Sequence, residues 1–148
     1  MKNTYPLLIV ILLALVAGHY FFSPKEIYIV HDCDIQKSGH CILTKDDVEL
    51  ELSLSPTPII PTEDVSYTLK TRGLKVEEAT IRLLGHDMEM PRDEQVFSLS
   101  SLTNPHLHEA TRAFPTCTEK LMTWRIYLVL KGQKKWVRTT FDFEVKRI

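Results

Sequence analysis

Apolar residues at every second position restrict the fold of this chain more than any other feature. Val48, Leu50, Leu52 and Leu54 alternate with Glu49, Glu51, Ser53 and Ser55. Strand side chains point to opposite faces in turn, so such a stretch buries one side and wets the other. The same strand-like character recurs at residues 65–71, 75–84, 95–102, 121–130 and 136–145. Ser55-Pro56-Thr57-Pro58 breaks the first of these runs. Residues 65–71 and 75–84, separated by Arg72-Gly73-Leu74, are expected to pair with each other. Residues 121–130 and 136–145 flank Gly132-Gln133, which predicts a hairpin with a two-residue turn and Gly at positive φ. Within it Met122, Trp124, Ile126, Leu128 and Leu130 share a face, opposite Thr123, Arg125 and Tyr127, so Trp124 is a core candidate. Residues 103–114 read as the longest irregular stretch. Eight or so short strands, with no helix after Phe22, predict a mostly β fold: an immunoglobulin-like β-sandwich, with a small β-barrel as the alternative.

Ahead of the strands stands an apolar run, LLIVILLALVAGHYFF, at residues 7–22. Its strictly apolar part, 7–17, has the length of a signal-peptide core, and Val16-Ala17-Gly18 offers small residues to a peptidase. Counted from Tyr5 to Phe22, the run makes a helix of roughly 27 Å, near the ~30 Å of a bilayer's hydrocarbon, with Tyr20, Phe21 and Phe22 at the interface. Two readings stand: an uncleaved single-pass anchor in the inner (cytoplasmic) membrane, or a cleaved signal that leaves a soluble periplasmic or secreted domain. In both, residues 1–24 are the membrane segment or signal and residues 25–148 form one exported domain of about 120 residues, enough for a single core. The net charge of −1, with acids and bases interleaved, excludes the basic footprint of a nucleic-acid binder. Lys131, Lys134, Lys135 and Arg138 read as a solvated hairpin end, set against a phosphate or lipid contact.

Export makes thiol oxidation the expected state. Cys33 and Cys41 enclose a Ser38-Gly39 turn signal and are expected to form a disulfide across it. A zinc site of His31, Cys33, His40 and Cys41 competes, although its eight-residue ligand offset is not a usual zinc spacing. Cys117 is left over, as a buried thiol, a partner in another disulfide or a soft metal ligand.

Gly85-His86-Asp87-Met88-Glu89-Met90-Pro91 is the segment that can carry chemistry. In extended form it sets His86, Met88 and Met90 on one side, and thioether sulfur suits Cu(I). Cys117, His106, His108 or Met122 would complete such a site. The competing reading has the methionines filling a core at a strand end that Pro91 terminates. His106-Leu107-His108 is read as a surface loop, or as a small chelate on its own.

An N-terminal apolar segment, a small β-domain and Gly85, Met88, Met90 and Pro91 in a G-x-x-M-x-M-P pattern, with Trp124 further on, resemble the FixH-like and YtkA-like group of bacterial envelope proteins. The resemblance implies copper handling, or assembly of copper-containing respiratory oxidases, through Met88 and Met90. Enzyme motifs are missing: no G-x-S-x-G, P-loop, Rossmann glycines, H-E-x-x-H or C-x-x-C occurs, and five glycines leave little for phosphate-binding loops. Asp46-Asp47 and Glu77-Glu78 put their carboxylates on opposite sides of a strand and read as solvated charge. The expected function is a non-catalytic, membrane-tethered accessory domain that contacts another envelope protein. The alternative is a Cu(I)-binding chaperone or assembly factor, and a small-ligand module is a third, weaker reading.

Overall fold

The computed structural model describes residues 5–85, 94–101, 103–115 and 120–146. Helix α1 (Tyr5–Phe22) has no buried residue and is long and apolar enough to cross a membrane, as an anchor or a signal sequence does. Ser23 and Pro24 alone separate it from strand β1 (Lys25–Ile29). The chain continues through α2 (Ile35–Ser38), β2 (His40–Lys45), β3 (Val48–Ser55), β4 (Asp64–Arg72), β5 (Glu78–Gly85), β6 (Gln95–Leu99), β7 (Leu107–Ala113), β8 (Leu121–Lys131) and β9 (Lys135–Lys146).

These strands form two sheets, β1-β9-β8-β5-β6 and β2-β3-β4-β7, the arrangement of a sandwich rather than of a closed barrel. Every neighbouring pair is antiparallel except β1 with β9, which is parallel in the register Ile27↔Val137. The period-two residues face inward and meet between the sheets. Leu50, Leu52 and Leu69 come from one sheet and Ile81, Leu83, Ile126 and Phe141 from the other, each fully buried. Trp124 is fully buried too, with its ring 5.0 Å from that of Phe114 in an edge-on contact. A bridge, Ser100↔Glu109, joins the sheets at the β6–β7 side.

Four expectations are corrected. Strands β4 and β5 do not pair: β4 lies between β3 and β7, and β5 between β6 and β8. The chain turns at Gly73, which has φ +74° and lies so close to the Asp47 carbonyl oxygen that a Cβ would stand 1.8 Å from it. The chain leaves β4 there, and Leu74 and Val76 are buried as it crosses to the other sheet. The hairpin of β8 and β9 forms, with Lys131↔Trp136 as its end pair, but its loop is longer than two residues and Gly132 is not at positive φ. Glycine is needed at 132 for close approach, since a Cβ would meet the Lys75 carbonyl oxygen at 2.8 Å. Residues 103–114 are not irregular throughout, because they contain β7. Finally, a helix does follow Phe22: the single turn α2.

Candidate functional site

Cys33 and Cys41 are joined in a disulfide, with Cα atoms 6.0 Å apart. Their sulfurs are thereby taken from the zinc alternative. Local chemistry shapes the loop they close. Asp34 Oδ1 accepts from the Gln36 and Lys37 amides at 3.2 and 3.3 Å, and Gly39, in the left-handed region, donates its N–H to the Ile35 carbonyl. Ile35 is fully buried, and Gln36 Oε1 accepts from the Ile59 amide at 3.1 Å. The bridge therefore clamps a helical turn onto the end of the sandwich. Asp34 is held below the usual carboxylate range by its bond to Lys37, 2.9 Å away.

Of the expected copper ligands, His86, Met88, Met90 and Cys117 lie outside the described residues, as does Pro91. Among the described residues no three His, Cys, Asp or Glu side chains converge as a metal cluster. Their accessory candidates are separated by burial. Met122 is in the core, His108 is 3 % exposed, and His106 faces solvent. His108 is thus corrected from a surface loop to an inward position of β7, paired in register with Leu69. The flanks of the two segments nonetheless meet. Gly85, which precedes His86, pairs with Trp124, and Phe114, three residues before Cys117, packs on the same indole.

Four buried polar atoms have no hydrogen-bond partner among the described residues: His31 Nε2, Tyr67 Oη, His108 Nδ1 and Trp124 Nε1. The His31 ring packs against Phe141 with centroids 4.5 Å apart, and its Nδ1 accepts from the Cys33 amide at 3.1 Å. Burial lowers the pKa of both histidines. Around His31 the nearby Thr140 backbone and the charges of Asp32 and Asp142 oppose the shift. Around His108 the Val76 backbone opposes it and nearby His106 adds to it. Burial likewise raises the Tyr67 phenol.

Surface charge is matched locally. Lys131 meets Glu78 at 3.1 Å, Lys135 meets Asp47 at 2.5 Å and Arg138 meets Glu26 at 3.3 Å, so three cations of the β8–β9 hairpin region already have carboxylates. The outer face of the five-stranded sheet carries a feature that the sequence reading did not single out. Tyr28, Val96, Tyr127 and Val129 line a groove of about 510 Å³. Its signal was an aromatic residue on the solvent side of two strands, Tyr28 and Tyr127.

No protein-family model and no curated protein matches this sequence. Two solved structures are similar in part. A DUF4785 family protein from Legionella pneumophila has 15% identity and a TM-score of 0.49, over 69% of this chain and 29% of that one. An engineered protein has 12% identity and a TM-score of 0.43, over 62% and 19%. The chain spans less than a third of either, and at these scores neither likeness carries an argument.

Proposed function

We propose that this protein is a membrane-tethered, non-catalytic accessory domain of the bacterial envelope, anchored by α1 in the inner membrane with its sandwich outside the cytoplasm. The observation that carries the reading is the join between helix and domain. Two residues, Ser23 and Pro24, span at most about 7 Å, so an intact anchor keeps β1 at the headgroup region. A domain on so short a tether meets membrane-bound partners and does not diffuse away from the surface. The positive Lys2 ahead of α1 supports the proposed orientation. The test is expression of the full chain with a C-terminal tag, followed by intact-mass measurement, alkaline extraction and protease treatment from the periplasmic side. Full-length mass, retention in the membrane and an accessible domain are expected; a soluble product shortened near Gly18 overturns the tether.

A second reading is favoured by the meeting of Gly85 and Phe114 at Trp124. Met88 and Cys117 each lie three residues beyond one of these flanks, a chain reach of about 10 Å. In this reading Met88 and Met90, with Cys117 and His86, bind Cu(I), and the domain passes copper to a respiratory enzyme, as its resemblance to FixH-like and YtkA-like proteins implies. The full chain in detergent is expected to bind Cu(I) under reducing conditions with sub-micromolar affinity. Met88→Leu combined with Met90→Leu is expected to abolish binding, and unchanged affinity in that double variant removes the motif.

A further inference from the structure

The chain enters the sandwich at one of its two ends, and three connections gather there. Strand β1 starts two residues after α1, and the Lys25 amide that opens it donates to the Lys134 carbonyl at 2.9 Å. That bond sets the β8–β9 turn at the entry point. Asp46 and Asp47 of the β2–β3 turn reach the same place, meeting Lys25 at 3.5 Å and Lys135 at 2.5 Å. The crossover after β4 passes so close to the β8–β9 turn that a Cβ on Gly132 would stand 2.8 Å from the Lys75 carbonyl oxygen. Between crossover and turn lies a cleft of about 230 Å³, lined by Leu74, Lys75, Gln133, Lys134 and Lys135.

Much of the charge at this end is cancelled within the domain. Lys131–Glu78 at 3.1 Å and Arg72–Glu49 at 3.4 Å join the two pairs made by Asp46 and Asp47. Lys45, Lys75 and Lys134 are exposed and, among the described residues, have no carboxylate within 4.0 Å. Lys45 donates to the Tyr28 carbonyl instead, and exposed Glu77 is the nearby acid that offsets one of the three. The entry end is therefore positive on a chain whose net charge is −1. Trp136 stands beside the lysines, half-buried, with the Lys131 amine 5.6 Å from its ring centroid. Indole rings settle at the headgroup level of a bilayer, and lysines next to a membrane-spanning helix are drawn to anionic lipid.

We propose that the entry end of the sandwich is a lipid-contact face, held on anionic phospholipid headgroups by Lys75 and Lys134 with Trp136 at its rim. The inference rests on the anchored reading, which supplies the occupant: a tether of at most about 7 Å brings this end, and not the opposite one, to the bilayer. The domain then stands on the membrane. Strand β9 leads away from the surface for 12 residues, about 40 Å. Its distal residues Asp142 and Glu144 lie beside α2, and Phe143 is in register with Trp124, so the disulfide loop and the Gly85–Trp124 pair face outward, where a partner can reach them.

The test reconstitutes the full chain in vesicles of phosphatidylcholine alone and in vesicles that also contain phosphatidylglycerol, each with a nitroxide on the lipid headgroup to quench nearby tryptophan. Flotation reports anchoring separately from orientation, and Trp136→Phe isolates the signal of buried Trp124 at the far end. Quenching of the Trp136 signal is expected in the anionic vesicles and is expected to weaken in the neutral ones. Lys75→Gln combined with Lys134→Gln is expected to lower the ratio of docked to undocked domains by about fivefold for each lysine, removing most of that quenching with flotation unchanged. Lys146→Gln, at the distal end of β9, is expected to leave it as it is. No quenching in the anionic vesicles, equal quenching in both kinds, or quenching retained in the double variant overturns the contact while the anchor stands. A chain that fails to float overturns anchor and contact together.

Discussion

The buried imidazoles of His31 and His108 tie the stability of this fold to pH. Burial disfavours the imidazolium of both in the folded chain, while the unfolded chain takes up protons with the ordinary value of 6.5. Below that value the unfolded state holds more protons, so stability falls as pH falls, by up to about 1.4 kcal/mol per pH unit for each histidine. His108→Gln is therefore expected to narrow the gap between urea midpoints measured at about pH 7.5 and about pH 5.5, followed by the fluorescence of buried Trp124; an unchanged gap removes His108 as a source. Trp124 was legible as a core residue from alternation alone, since four apolar neighbours share its face. The burial of His108 was not. The residues that follow it on the same side of β7 are half-buried Ala110 and exposed Arg112, so no apolar period marks the strand.

At the scale of elements, the disulfide and α2 are one unit. The bridge closes a separation of eight residues, a short loop, for which the chain-entropy gain is about 2–3 kcal/mol. Paired substitution Cys33→Ser and Cys41→Ala is expected to lower domain stability by about that amount, read as a reduced denaturant midpoint, and to speed exchange of the Gly39 amide, whose bond to Ile35 depends on the turn. Protection unchanged at Gly39 would falsify the coupling. The cysteine pairing was legible from spacing and compartment, whereas α2 was not: a turn of four residues is specified by Asp34 and Gly39 as caps, without any helical period. Strands β3, β4, β5, β6, β8 and β9 were legible because apolar residues alternate in them, whereas β7 was not. Their partners were less so: β4 and β5 are joined by a short connection around Gly73, yet they lie in different sheets, and strand alternation does not say which sheet a strand joins. The proposed copper segment was legible as a pattern, Met88-Glu89-Met90-Pro91, but a pattern does not bring Cys117 or His86 to it.

For the whole molecule, the order β1-β9-β8-β5-β6 sets the strand nearest α1 at an edge of the sheet whose outer face carries the groove lined by Tyr28 and Tyr127. The parallel pairing of β1 with β9 has a further, mechanical consequence. Strand β1 continues directly from α1 and runs alongside β9, from Lys25↔Lys135 to Ile29↔Thr139. In the proposed anchored state, a load at the far end of β9 that pulls the domain away from α1 is borne along the length of both strands. Their hydrogen bonds then share the force in shear and do not open one at a time, so the joint withstands traction between the bilayer and whatever grips the domain.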